Sequence, residues 1–194
     1  MIRIKQYVVR ILKRYIYDYR SNKLLIHFSK ILKNNALVLI DIGAAGEIQP
    51  RWRQITPLLN YIGFEPDERS YKEIKDKETS CNTYKIYNSA VWSYDGKLPI
   101  NFCRKPMVSS YFKPNREFVD RYADSDRFDI LSSEEVNITR LDNFDIEYAD
   151  FMKLDIQGGE LEALKGGEKL LSNCLGLEVE VEFLKMYESQ PLFG

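Results

Sequence analysis

The residues best placed to do chemistry are acids that end short apolar runs and stand next to glycines. Asp41 is the first, in Val38-Leu-Ile-Asp41-Ile-Gly43-Ala44-Ala-Gly46. Glycines at 43 and 46 allow turn angles that other residues avoid and let a ligand approach the backbone. A loop that cradles a pyrophosphate wants G-x-G-x-x-G opening a helix. Here the first of those glycines is missing, and a carboxylate stands two residues before Gly43. That charge repels a pyrophosphate and suits a cationic ligand, although an ordinary tight strand-to-helix turn has the same look.

The next three segments narrow the ligand. Gly63-Phe64-Glu65-Pro66-Asp67 places Glu65 19 residues after Gly46. An acid at the end of a second strand can accept both ribose hydroxyls of an adenosine, with Pro66 stiffening the turn and Asp67 capping a helix. Asn88-Ser89-Ala90-Val91-Trp92 offers small residues, Ser89 and Ala90, that leave room for a flat ring; Trp92 reads as core. A cationic amino-acid end, a ribose and an adenine together describe S-adenosyl-L-methionine (SAM). The expected cofactor-binding set is Asp41, Gly43, Ala44, Gly46, Glu65, Pro66, Ser89, Ala90 and Asp155. Asp155 comes from Met152-Lys153-Leu154-Asp155-Ile156-Gln157-Gly158-Gly159-Glu160, at the carboxyl end of an apolar run. By the two-residue period of a strand it shares a face with Lys153. Glu160 falls at a helix N-terminus, where the dipole favours its charge.

Methyl transfer from such a donor needs alignment, and a hydroxyl acceptor, which the family resemblance given below implies, also needs a base. The only histidine, His27, is far from these motifs, so Asp155 and then Glu160 are the candidate catalytic residues. The plain alternatives are a Lys153–Asp155 ion pair and a helix-capping role for Glu160. Glu178, Glu180 and Glu182 alternate with Val179, Val181 and Phe183 and so should share one sheet face. Glu182, nearest the carboxyl end, is the expected acidic floor of an acceptor pocket, with Ser109, Ser110 and Tyr111 as polar or stacking contacts. No dedicated metal motif is present. A divalent cation held by Asp155 and a neighbouring acid ranks below a metal-free reading.

These residues need a scaffold that brings strand ends together. From Ala36 onward short apolar strands alternate with helical patterns: strands over 37–41, 61–65, 84–92, 98–103, 136–139, 151–155 and 175–183, and helices over 51–59, from Asp67 to about Lys77, and from Glu160. That alternation implies an α/β fold, a Rossmann-like, doubly wound and mostly parallel sheet with helices on both faces. Such sheets bind ligands at the carboxyl ends of their strands. Residues 104–133 read as a long irregular stretch, longer than usual loops and therefore a candidate lid.

The chain has 194 residues, enough for one domain with its own core, and 44% apolar and 13% aromatic residues, too many for a disordered chain. Its three cysteines form no CxxC pair, which argues against a disulfide scaffold or zinc knuckle and points to a reducing, cytoplasmic setting. The net charge of -1 hides a split. In residues 1–35, nine Lys/Arg against one acid leave +8; the remaining 19 basic against 28 acidic residues leave -9. Ile4, Val8, Ile11, Leu12, Tyr15, Ile16 and Tyr19 recur at helical spacing, so residues 2–33 read as amphipathic helix broken near Ser21-Asn22. The expected division is a basic helical extension, 1–35, and a SAM-binding domain, 36–194. The extension suits packing on the sheet or on a second subunit of a homo-oligomer, or peripheral contact with an anionic inner membrane surface. No base-reading motif points to nucleic acid.

Taken in order, Asp41–Gly46, Gly63–Asp67, Lys153–Glu160 with Leu164-Lys165-Gly166, and Glu178–Phe183 followed by Tyr187 and Gln190-Pro191-Leu192-Phe193 resemble the FkbM family of SAM-dependent methyltransferases. Val108-Ser109-Ser110 resembles that family's serine pair. The resemblance runs from about residue 37 to the end. It implies a class I methyltransferase fold and transfer to a hydroxyl oxygen, often on a sugar, glycan or natural-product scaffold. That fold normally continues past its fifth strand with a helix and an antiparallel hairpin. Here Gly194 follows soon after Phe183, so the last two strands are expected to be absent and the fifth to form an edge. Two other readings stay open at this point: a SAM-binding scaffold without turnover, and a nicotinamide-dependent oxidoreductase, the latter disfavoured by Asp41 and the missing glycine.

Overall fold

The computed structural model describes Lys23, residues 26–32 and residues 35–193. The chain divides into two units between Ala36 and Leu37. In the first, residues 26–31 are helical. The break expected near Ser21-Asn22 and most of the basic stripe lie outside the described residues.

In the second unit a five-stranded sheet carries the fold. Its strands are β1 (Leu37–Ile42), β2 (Leu59–Phe64), β3 (Thr83–Tyr87), β7 (Phe151–Leu154) and β8 (Gly176–Val179), in the order β3-β2-β1-β7-β8. All four pairings are parallel. A smaller sheet holds β4 (Ala90–Val91), β5 (Gly96–Cys103) and β6 (Ile130–Thr139), in the order β4-β6-β5, with β5 and β6 antiparallel. The helices are α1 (Pro50–Arg53), α2 (Glu68–Ile74), α3 (Arg116–Val119), α4 (Glu160–Gly166) and α5 (Glu168–Leu171). This is the doubly wound α/β architecture expected from the alternation. The chain builds outward from β1 to β3, then returns to β7 on the other side of β1. The carboxyl ends of β1 and β7 therefore flank the topological switch point, where such sheets bind ligands.

The two-residue period of β1 sorts its side chains. Val38, Ile40 and Ile42 join Phe64, Met152, Leu154, Ala163 and Leu170 in one core cluster. Leu39 joins Leu59 and Tyr61 on the other face, with Trp52 and Phe151 packed against them. Asp41 shares that second face by periodicity, which puts a carboxylate inside the protein beneath the end of the sheet. Burying each Leu or Ile of these clusters stabilises the fold by about 1.5–3 kcal/mol.

Several boundaries differ from expectation for identifiable reasons. The helix expected over 51–59 stops at Arg53; a 3-10 turn over Thr56–Leu58 takes in Pro57, and β2 starts at Leu59. The strand expected over 84–92 breaks at Asn88-Ser89, where the Asn88 side chain donates to the Glu65 carbonyl at 3.0 Å, and Ala90–Val91 joins the smaller sheet. The segment 104–133 holds two 3-10 turns and α3, and its end belongs to the ten-residue β6. The final strand ends at Val179, not Phe183. The Asp67 cap is present: its side chain accepts from the Arg69 N–H at 2.9 Å. The three cysteines are unpaired. Among the described residues no helix is long and apolar enough to cross a membrane.

Candidate active site

A cavity of ≈ 330 Å³ opens at the switch point, within the usual range of about 300–1,000 Å³ for small-molecule sites. It brings together Asp41, Gly43, Glu65, Pro66, Ser89, Ala90, Ser109, Ser110, Tyr111 and Asp155, from strand ends and from the loop after β5. It does not bring in the remaining four expected residues. Ala44 is buried in the core, 6% exposed. Gly46 lines a separate cavity beside Arg53 and Lys77. Glu160 and Glu182 do not line the main cavity either.

The turn after β1 depends on Gly43. Its φ is +86°, and a Cβ there would run into the Asp155 carbonyl. Gly46 also has a positive φ, +92°, but open space around it. Gly43→Ala therefore combines backbone strain of about 1–2 kcal/mol with a steric conflict against β7, whereas Gly46→Ala incurs the strain alone. Thermal melts should show a clearly larger loss for Gly43→Ala. Equal losses would mean that the close approach to Asp155 is not decisive.

Asp41 is not a free carboxylate. Its Oδ1 accepts from Lys153 Nζ at 2.9 Å and its Oδ2 from the Tyr61 hydroxyl at 2.7 Å. Asp41 and Lys153 face each other in register on neighbouring parallel strands. The ion pair that the sequence placed between Lys153 and Asp155 thus runs mainly to Asp41, with Asp155 Oδ2 at 3.8 Å. Burial pushes the Asp41 carboxyl above its ordinary range despite Lys153 and Tyr61. Burial disfavours the Lys153 charge, but Asp41 and, behind it, Asp155 hold the ammonium above its usual value. With both oxygens engaged, Asp41 positions Lys153, whose Nζ also donates to the Gly43 carbonyl at 3.4 Å.

Glu65, 4% exposed, is the buried acid with acceptor capacity left. Its Oε1 accepts from the Asp67 N–H at 2.8 Å. Burial raises its pKa to about 7; that N–H bond opposes the shift, and the charges of Asp67 and Asp41 add to it.

At the end of β7, Gln157 takes a left-handed φ of 58°, a conformation that costs of order 1–3 kcal/mol and clusters at functional sites. From there its Nε2 donates to Asp155 Oδ1 at 2.9 Å and to Glu180 Oε2 at 2.6 Å. Ser110 Oγ donates to the Gln157 carbonyl at 2.7 Å, and the buried Tyr187 hydroxyl donates to Gln157 Oε1 at 2.9 Å. Burial, a hydrogen bond to Asp155, and the charges of Asp155, Glu182 and Glu160 push Glu180 up to about 8. Glu160 has another task. Its carboxylate accepts from the Ile156 N–H at 2.9 Å and the Gly158 N–H at 2.9 Å, fixing the loop that carries Asp155 and Gln157. Glu182 is raised by burial and by Glu160 and Asp155, so it belongs to the same acidic group without reaching the cavity wall. Glu178 departs from the other two and pairs with Arg51 at 2.9 Å. Tyr111 packs on Trp92, ring centroids 4.3 Å apart, and Trp92 is core as expected.

Residues 45–194 match the model of the methyltransferase FkbM domain. The chain belongs to the FkbM methyltransferase family. A 2-O-methyltransferase NoeI from Sinorhizobium fredii (strain NBRC 101917 / NGR234) is 24% identical over 164 residues, covering 79% of this chain. The chain spans 66% of that relative's length. A crystal structure of methyltransferase FkbM from Methylobacillus flagellatus KT overlaps 75% of this chain and 33% of its own, with a TM-score of 0.48 and 15% identity. Within this FkbM domain, Gln157, Lys105 and Arg127 line the cavity outside the expected set, and Glu180 takes the place in its wall that was expected for Glu182. A glutamine in Asp-x-Gln-Gly, two residues past a strand's last acid, was the available signal for Gln157.

Proposed function

We propose that this FkbM chain is a SAM-dependent O-methyltransferase that methylates a hydroxyl of a sugar, glycan or natural-product scaffold. The observation that carries this reading is Glu65: a buried acid at the end of β2, opening on the same cavity as the Gly43 turn and Asp155. The residues present fit the methyl donor. Glu65 suits the ribose hydroxyls, Ser89 and Ala90 leave space for the adenine, and Asp155 and the Gly43 turn suit the cationic amino-acid end. Bound there, SAM supplies a methyl group activated by a positively charged sulfur. The chain's own work is to hold the acceptor in line, exclude water and receive the hydroxyl proton. Asp155 is the proposed base, held by Gln157 and partnered by Glu180. The relative's description as a 2-O-methyltransferase supports transfer to oxygen.

Calorimetric titration with SAM, S-adenosylhomocysteine and NAD tests the reading. The first two should bind and NAD should not; no SAM binding at millimolar concentration would overturn it. Glu65 adds a pH signature. A carboxyl with a folded pKa of about 7 is mostly protonated at pH 6 and ionised at pH 8, and only the ionised form accepts from both ribose hydroxyls. S-adenosylhomocysteine should therefore bind about tenfold more weakly at pH 6 than at pH 8. Glu65→Gln should bind weakly with no such dependence. A flat profile in the parent would remove Glu65 from the ribose site.

A further inference from the structure

The cavity has a second polar wall, basic rather than acidic. Lys105 and Arg127 both line it, and the Lys105 N–H donates to the Arg127 carbonyl at 3.1 Å. Their neighbours on the same segment, 104–133, are committed to acids: Arg104 to Asp129 and Asp126, Arg116 to Asp129 and Asp120. Among the described residues, the Lys105 ammonium has no partner. Arg127 reaches exposed Asp124 with one terminal nitrogen at 3.3 Å, while its Nε is buried with no hydrogen-bond partner. A buried guanidinium N–H left unpaired is costly, and each such group in a folded protein calls for an explanation.

The basic wall lies toward the reacting end. Arg127 precedes Phe128, whose ring meets that of Tyr187 edge-on at 6.1 Å. The Tyr187 hydroxyl bonds Gln157, and Gln157 holds Asp155. Burial raises the Tyr187 hydroxyl far above its ordinary pKa, and the Arg127 charge acts against that rise, so the guanidinium lies within electrostatic reach of this hydroxyl.

We propose that Lys105 and Arg127 form an anion subsite in the cavity, so that the hydroxyl acceptor carries a carboxylate, phosphate or sulfate. The inference rests on the hydroxyl-methylation reading and narrows its substrate class. A guanidinium fork and a flexible ammonium are the pair that recognises such a group, and both charges raise the rate at which an anionic acceptor is captured.

Two measurements on the full chain separate the possibilities. Inorganic sulfate and phosphate are titrated into the S-adenosylhomocysteine complex of the parent, Lys105→Gln and Arg127→Gln. Both ions should bind the parent, and each variant should weaken them tenfold or more while its affinity for S-adenosylhomocysteine stays unchanged. Loss of S-adenosylhomocysteine affinity instead would make the cofactor's own carboxylate the ligand and overturn the proposal, as would absence of anion binding in the parent. Labelled SAM is then offered with matched oligosaccharide panels, neutral or bearing one uronate, phosphate or sulfate. The acidic panel should be preferred, and Lys105→Gln, an exposed position, should raise KM with kcat retained. Equal use of neutral acceptors would overturn the proposal. Methylation of neither panel, with anion and SAM binding intact, would count against the hydroxyl reading and leave the subsite supported by its ion affinity.

Discussion

Asp155→Asn is expected to weaken S-adenosylhomocysteine binding only modestly, through the charge lost beside the cofactor's ammonium, and to lower kcat by about 10²–10⁴-fold, the usual worth of a positioned general base. The substitution keeps the shape of the side chain and its place at the end of β7, where the Asp155 N–H donates to the Ile42 carbonyl at 3.0 Å. It keeps the contact with Gln157 as well, since an amide oxygen can accept as the carboxylate does. What it removes is the capacity to take a proton. Full activity in Asp155→Asn would show that the acceptor proton leaves by another route. Glu180→Gln is the informative companion. With a pKa near 8, Glu180 holds a proton at neutral pH and donates it in a hydrogen bond to Asp155. Glutamine can make the same bond, so Glu180→Gln should retain most of the activity. It should also lose any step near pH 8 in the pH–rate profile, because it cannot ionise there.

The central sheet was readable because buried parallel strands are nearly continuous apolar runs. Val38–Ile42, Tyr61–Phe64 and Phe151–Leu154 stand out by that property, and the acids ending them are conspicuous for the same reason. The smaller sheet was not readable in the same way. β6 is largely polar, Leu-Ser-Ser-Glu-Glu between its first residue and Val136, and its pairing with β5 comes from backbone bonds that leave no pattern in side-chain type. The acidic run 178–182 misled for a different reason. Alternation predicts one shared face only while the strand continues, and β8 ends at Val179. Past that point Glu180 turns to Gln157 and Asp155, while Glu178 stays on the strand and meets Arg51. Asp41 is conspicuous in the sequence as an acid ending an apolar run, but its partners are not. Within its own segment it looks free, and only the register with Lys153 and the reach of the Tyr61 ring engage both its oxygens. Lys105 and Arg127, 22 positions apart in the chain, become neighbours only through the fold of the segment 104–133.

The Asp41–Lys153 pair carries the largest expected effect on stability. Both side chains are 6% exposed. Removing one charge from such a pair strands the other, at about 3–5 kcal/mol, a large part of the roughly 5–15 kcal/mol that holds an ordinary domain together. Lys153→Met should therefore lower the melting temperature by about 10 °C or more at pH 8. The loss should shrink at pH 5. Without Lys153 the Asp41 carboxyl is raised further by burial, and a carboxyl raised in the folded state contributes stability that is present at low pH and lost as pH rises through its folded pKa. Asp41→Leu should be severe as well, since it strands the ammonium. The two together, Asp41→Leu with Lys153→Met, should recover much of the stability, because apolar residues of similar volume leave no buried charge. Denaturation of all four proteins at both pH values closes the cycle. If Lys153→Met costs less than about 1 kcal/mol, within the range of exposed pairs, water reaches the pair from the cavity and it contributes little to stability. If the cost is large and falls at pH 5 as expected, the charges at the floor of this site are kept at the expense of stability. The double variant, stable but without the Lys153 ammonium that bonds the Gly43 carbonyl, should then fold and bind S-adenosylhomocysteine poorly.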